Sequence, residues 1–147
     1  MIKSGVKQGS VMSGFLFLLC LDWVSRKATA DTRRGIRKNF TTMLEHLDFA
    51  NDVALLSSKF NDLHEKTRRW AEEAARVGLE LNTRNGKTLR PECASSREQI
   101  VVDGEEVDDI EEYTYLGALV DKDGGGSKDI MHRLQKARGA LQRLRRI

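Results

Sequence analysis

The sequence predicts an α+β fold, a single sheet with helices packed on one face. Apolar residues recur at helical spacing in two windows, residues 13–27 and 62–77. Short apolar runs alternate around two turn signals, residues 49–52 and 103–104. A basic stretch follows the glycine triplet Gly124-Gly125-Gly126.

The first helix is expected from a Ser13 cap, with Leu16, Leu19, Cys20, Trp23 and Val24 at helical spacing and Arg26 and Lys27 at the negative end of its dipole. Phe15, Phe17 and Leu18 make it apolar nearly all round, which predicts a buried helix. Lys3, Lys7, the run Phe15 to Leu21 and the triplet Ala28-Thr29-Ala30 imitate a secretion signal. Asp22 interrupts that run and Arg26 and Lys27 follow it, and the run is far shorter than the ~20 apolar residues that cross a bilayer.

Next, Thr41 to Phe49 puts Met43, Glu45, Leu47 and Phe49 on one strand face and Leu44, His46 and Asp48 on the other. Val53 to Leu56 returns as a strand apolar on both faces, so the hairpin is expected under cover, with Phe49-Ala50-Asn51-Asp52 at its tip. Asp62 and Glu65 predict a capping-box start for a second helix. Its stripe is Leu63, Thr67, Trp70, Ala74 and Val77, and Gly78 ends it. The charges on its other side, Arg68, Arg69, Glu72, Glu73 and Arg76, read as a solvated face.

Leu79 to Asn82 alternates as a strand would, Asn85-Gly86 marks a turn before Lys87-Thr88-Leu89, and Asp103-Gly104 turns a hairpin between Ile100 to Val102 and Val107. Tyr113 to Val120 reads as a further strand, and the glycine triplet as a hinge before a basic helix capped by Ser127.

A chain of 147 residues, 39% hydrophobic and with one proline, has the size of one domain rather than of a linker-rich polymer. The net charge of +3 hides an asymmetry: Glu92 to Asp123 carries eleven acidic and two basic residues, whereas Ser127 to Ile147 carries seven basic residues against Asp129 alone. The basic end is the expected place for phosphate contact. Cys20 and Cys93 lack the paired spacing of a zinc site or disulfide scaffold, so free thiols and an intracellular setting, nuclear or cytoplasmic and not secreted, are expected. His46, His64 and His132 are scattered and read as ordinary surface or strand residues.

Two segments carry chemistry. Gly5-Val6-Lys7-Gln8-Gly9-Ser10-Val11-Met12-Ser13 is a glycine-flanked polar loop running into the apolar helix, and some forty residues later comes the Phe49-Ala50-Asn51-Asp52 tip. Together they resemble reverse transcriptases of non-LTR, LINE-like retrotransposons, in which a G-V-x-Q-G loop with a following serine holds template and incoming nucleotide and an F/Y-A-D-D hairpin supplies metal-binding aspartates. Three further stretches are similar to later parts of that family: Asn82 with Lys87-Thr88, where a lysine lies near nucleotide phosphates; Tyr115-Leu116-Gly117, which lies near the primer; and the Ser127 helix with Lys136-Ala137-Arg138-Gly139, the start of the thumb. The likeness covers nearly the whole chain in the expected order.

The resemblance implies a partial polymerase palm over residues 1–123 and a hinge with a thumb-like basic helix over 124–147. It implies RNA-directed DNA polymerisation with Mg²⁺, an RNA template, a DNA primer and deoxynucleoside triphosphates, and no membrane. Residue by residue, Gly5, Gln8, Gly9 and Ser13 line the nucleotide and template pocket; Asn51, Asp52 and Lys87 occupy catalytic positions; Asp52 is the metal-site carboxylate; Tyr115, Leu116 and Gly117 are primer-proximal. Asn51 departs from the family pattern, standing where the first hairpin aspartate belongs, and the strand with the other principal aspartate would precede Gly5. An amide oxygen can ligate Mg²⁺ but brings no charge, and metal stabilisation of the transition state is worth several kcal/mol, so the chain alone is expected not to polymerise. A non-catalytic nucleic-acid-binding module and the product of a decayed reading frame are the alternatives.

Overall fold

A computed structural model of the chain describes residues 9–30, 34–91, 94, 96, 98–124 and 126–144. It divides into two compact units, Met1–Asn82 and Thr83–Ile147. Mixed α and β structure is present, with three α-helices among the described residues. The expected single sheet is not: the strands form five separate two-stranded ladders. Strands of two to four residues engage one neighbour and then turn away, so no third strand joins any ladder among the described residues.

In the first unit, α1 (Val11–Thr29) begins after Ser10, whose extended backbone (φ −75°, ψ 138°) makes it the N-cap in place of Ser13. Ser13 lies in the first turn, its amide donating to the Ser10 carbonyl at 3.0 Å. The helix is not buried all round. Leu21, Val24, Ser25 and Ala28 are buried, with Phe17 packed beside them, whereas Phe15, Leu18 and Leu19 are 58%, 50% and 50% exposed. One neighbouring helix, α2 (Phe60–Arg76), covers one face only.

That second helix supplies Trp70 and Ala74 to the core. It starts two residues before Asp62, with Lys59 at the cap and no side-chain cap bond. Asp62 and Glu65 thus form no capping box: Asp62 sits in the first turn 3.4 Å from Arg34 Nε, and Glu65 is taken by Arg68 and Arg69. At the other end Gly78 adopts φ 75°, the Gly78 amide donates to Ala75 O at 3.1 Å, and the Leu79 amide donates to Ala74 O at 2.9 Å. This is a Schellman ending, with Leu79 folded back onto the core. Trp70 and Ala74 meet Leu21, Val24 and Ala28 there, and Trp70 Nε1 donates to Ser25 Oγ at 3.3 Å. The expected strand at Leu79 to Asn82 does not form; Leu79 and Leu81 pack on the core instead.

Between these helices, β1 (Ile36–Arg37) pairs with β2 (Met43–Leu44), and β3 (His46–Phe49) pairs with β4 (Asp52–Leu55), both antiparallel. Gly35 lies where no side chain fits, because a Cβ there would stand 2.2 Å from Leu44 O. In the second unit a 3₁₀ turn (Thr83–Asn85) leads to β5 (Lys87–Leu89), which pairs in parallel with β8 (Asp108–Ile110). Between them β6 (Val101–Val102) and β7 (Glu105–Glu106) form the hairpin expected at Asp103-Gly104. Tyr113 to Val120 is not one strand but two, β9 (Glu112–Tyr115) and β10 (Ala118–Asp121), folded back on Leu116-Gly117. Last comes α3 (Ser127–Leu144). Among the described residues no helix is long and apolar enough to cross a membrane.

Candidate functional site

The tip of the β3–β4 hairpin is built as its sequence suggests, with Phe49 paired to Asp52 and a two-residue loop of Ala50 and Asn51. Ala50 has φ 53°, and Asn51 is not among the positive-φ residues. A positive φ at the first loop residue alone is the type II′ pattern, which matches strand twist but normally takes glycine there. An alanine held in that region costs ~1 kcal/mol or more.

Two other tips allow comparison. Asp103 and Gly104, at φ 52° and 82°, are ordinary residues for a type I′ turn. Leu116 and Gly117, at φ 49° and 83°, adopt the same backbone, but leucine tolerates it poorly. The two tips carrying residues unsuited to their backbone are those that the sequence marks as chemically interesting, and strain of this kind concentrates at functional sites.

Register decides which side chains share the tip. Directly opposed residues lie on one face, so Asp52 shares its face with Phe49, Leu47 and Ala54, while Asp48 lies on the other with Val53, Leu55 and His46. Val53 and Leu55 pack on the core. The expected cover for both faces is therefore absent: Leu47 and Phe49 are 40% and 59% exposed, and Asn51 and Asp52 are exposed at the tip. Asp48 is 3.4 Å from His46 Nε2.

Beneath the hairpin lies the residue that the sequence reading missed. Lys66 is 1% exposed, and its Nζ donates to Glu45 Oε2 at 2.6 Å, Glu45 O at 3.3 Å and Leu56 O at 2.5 Å. All three ammonium protons thus have acceptors, as a buried charge requires. Glu45 precedes β3 and Leu56 follows β4, so one α2 side chain grips both ends of the hairpin base. The available signal was spacing: Lys66, Trp70 and Ala74 recur every four residues, and a lysine on a buried stripe needs a carboxylate opposite.

The remaining candidates are distributed as follows. Gly5 and Gln8 lie outside the described residues, as does Cys93. Gly9, at φ 82°, turns the chain into α1, and Ser13 occupies its first turn. Lys87 opens β5 and is held by Asp108 Oδ2 at 2.7 Å. Tyr115 ends β9, and Leu116 and Gly117 form its turn. Asn51, Asp52, Gly9 and Ser13 belong to the first unit; Lys87 and Tyr115 to Gly117 belong to the second.

The donor set does not fit the paired Mg²⁺ ions that the resemblance implies. Asp52 is the one carboxylate on its face of the hairpin tip, Asn51 is neutral, and Asp48 faces the opposite way. Among the described residues no three His, Cys, Asp or Glu side chains are grouped to hold a metal ion.

In the second unit α3 starts against β10. Asp129 Oδ1 accepts the Leu119 amide at 2.9 Å, and Oδ2 takes Arg133 Nε at 2.7 Å. That amide first, and then Arg133, hold the Asp129 carboxyl below its ordinary range. A shallow depression of about 370 Å³ between Glu112, Leu119 and one face of the helix ends at Gln135. Lys128 is paired with Asp121 and Asp123, but no described acidic residue pairs with Lys136, Arg138 or Arg143.

A Caenorhabditis elegans protein described as transposon-derived and uncharacterized is 29% identical over 97 residues, 64% of this chain. The chain spans about a third of that relative's length, the match covering 34% of it. No protein-family model matches the chain, and no solved structure does. The likeness hints at a transposon origin.

Proposed function

We propose that this polypeptide is a fragment of a non-LTR retrotransposon reverse transcriptase, retaining part of the palm and the start of a thumb-like region, and catalytically silent by itself. The observation that carries the reading is the Phe49 to Asp52 tip: an exposed two-residue turn with alanine in a backbone region it disfavours, at the position the polymerase motif predicts. The transposon-derived relative supports the lineage. In the ancestral reaction, RNA-templated addition of deoxynucleotides to a primer, Gly5, Gln8, Gly9 and Ser13 contact nucleotide and template, Lys87 meets phosphate, and Tyr115 to Gly117 lie beside the primer. Asn51 leaves the hairpin one carboxylate short.

The test is primer extension on an RNA template with Mg²⁺, beside Mn²⁺ titration followed by electron paramagnetic resonance, for the wild type and Asn51→Asp. Neither protein should extend the primer, and the variant should bind Mn²⁺ at least about tenfold more tightly, since a second hard carboxylate joins the tip. Extension by the wild type would overturn the catalytic silence, and unchanged Mn²⁺ affinity would overturn the tip as a vestigial metal site.

A second reading, a non-catalytic module that holds nucleic acid through phosphates, is favoured by Lys136, Arg138 and Arg143, which lack described acidic partners. It predicts binding that falls steeply with salt and is indifferent to Asn51→Asp.

A further inference from the structure

The last helix carries an apolar stripe that none of the described residues of its own unit covers. Ile130, Leu134, Ala137, Leu141 and Leu144 follow a 4-3-4-3 spacing along α3. At 3.6 residues per turn they fall within about 80° of one another, the narrow a/d seam of a coiled coil. Ile130, Leu134, Leu141 and Leu144 are 60%, 49%, 64% and 67% exposed, Ala137 is exposed too, and α3 has no buried residue. The β9–β10 hairpin is held through Asp129, and the shallow depression beside Glu112 and Leu119 runs along a different face, lined by Lys128, Met131, His132 and Gln135. The seam therefore points away from the element that holds the helix.

The flanks specify what can lie on this seam. Arg133 and Arg138 border it on its two sides, in the e and g positions that meet a partner helix, and Asp129, the one acidic residue of α3, is already engaged by Leu119 and Arg133. A second copy of α3 would set arginine against arginine in either orientation. A membrane surface is a poor match: the stripe is narrow, and α3 contains no aromatic residue to enter the headgroup layer. We infer that the Ile130–Leu144 seam of α3 docks an amphipathic helix of another polypeptide that carries leucine-like residues on its seam and glutamate or aspartate on its flanks. Such a partner buries the exposed leucines, neutralises Arg138 and adds a second carboxylate to Arg133, which Asp129 already pairs. It also stabilises the helix beyond Gln135, since an isolated helix of this length is marginal in water.

The experiment uses the full chain and two labelled helical peptides with leucine at every a and d position, one with glutamate at e and g and the other with lysine. Fluorescence anisotropy should show saturable binding of the glutamate peptide and at least about tenfold weaker binding of the lysine peptide. Leu134→Asp with Leu141→Asp should abolish binding, and Arg138→Glu should move the preference toward the lysine peptide. All three sites are exposed, and an unchanged far-ultraviolet circular dichroism spectrum and thermal melt of the full chain confirm that the variants are folded. Equal binding of both peptides, or of neither, overturns the proposal. So does dimerisation in sedimentation equilibrium that Leu141→Asp removes, which assigns the seam to a second copy. Displacement of the glutamate peptide by anionic vesicles, or by single-stranded RNA at physiological salt, overturns it in favour of those occupants.

Discussion

Helices α2 and α3 are nearly the same length, 17 and 18 residues, both rich in charge and both amphipathic, yet they end in opposite situations. The first buries Lys66, Trp70 and Ala74 against α1 and the hairpin, braces its outer side with Glu65, Arg68, Arg69 and Glu72, and closes on Gly78. The second buries nothing and keeps an intact apolar seam in the open. Periodicity specifies that a helix has an apolar face; only a partner decides whether that face contributes to stability.

The largest effects should break or confirm this contrast. Trp70→Ala should cost ~3–5 kcal/mol, because it empties the centre of the first unit's core, whereas Leu141→Ala should cost less than ~0.5 kcal/mol. Urea titration followed by circular dichroism measures both, and similar losses would mean that α3 is packed in solution.

Next comes the grip on the hairpin. Lys66→Met should cost ~3–5 kcal/mol by stranding the Glu45 carboxylate, and adding Glu45→Met should recover most of that loss. A double-mutant cycle with no coupling would show that Lys66 does not hold the hairpin base.

A smaller gain is expected at the tip. Ala50→Gly should stabilise the first unit by about 0.5–1 kcal/mol, relief of the left-handed alanine outweighing the extra freedom of the unfolded chain. A loss would show that Ala50 is not strained there.

The slightest effect concerns acid. Bonds from Arg68, and then from Arg69, lower the Glu65 carboxyl from 4.5 to about 2. A carboxyl lowered on folding stabilises the helix fully above its ordinary value and loses that support as pH falls from 4.5 through about 2. Far-ultraviolet circular dichroism should show the α2 signal declining over that window in the wild type, and that part of the decline should disappear when Arg68 and Arg69 are both glutamine, because the lowering that links Glu65 to folding is then gone.

Much of the first unit was legible beforehand: the hairpin with Asn51 at its tip, the Trp70 and Ala74 face, and Gly78 as the stop. Each is a local rule, a period or a residue with special backbone freedom. The start of α2 at Phe60 was not legible, because Asp62 and Glu65 satisfy a capping pattern in sequence while their carboxylates go to arginines in space. The turn at Leu116-Gly117 was hidden because leucine is no turn residue. Lys66 was hidden because a lysine reads as surface until its carboxylate is seen opposite.

By itself, the sequence determined the kinds of element, the polar tip at Ala50 to Asp52 and the likeness to a polymerase motif, for these depend on neighbours along the chain. Only the tertiary structure decided that the strands pair two by two, that Asp48 and Asp52 part to opposite faces, that Lys66 is buried, and that one amphipathic helix is covered while the other is open. Burial and pairing depend on residues distant along the chain, and a period carries no information about what lies across from it.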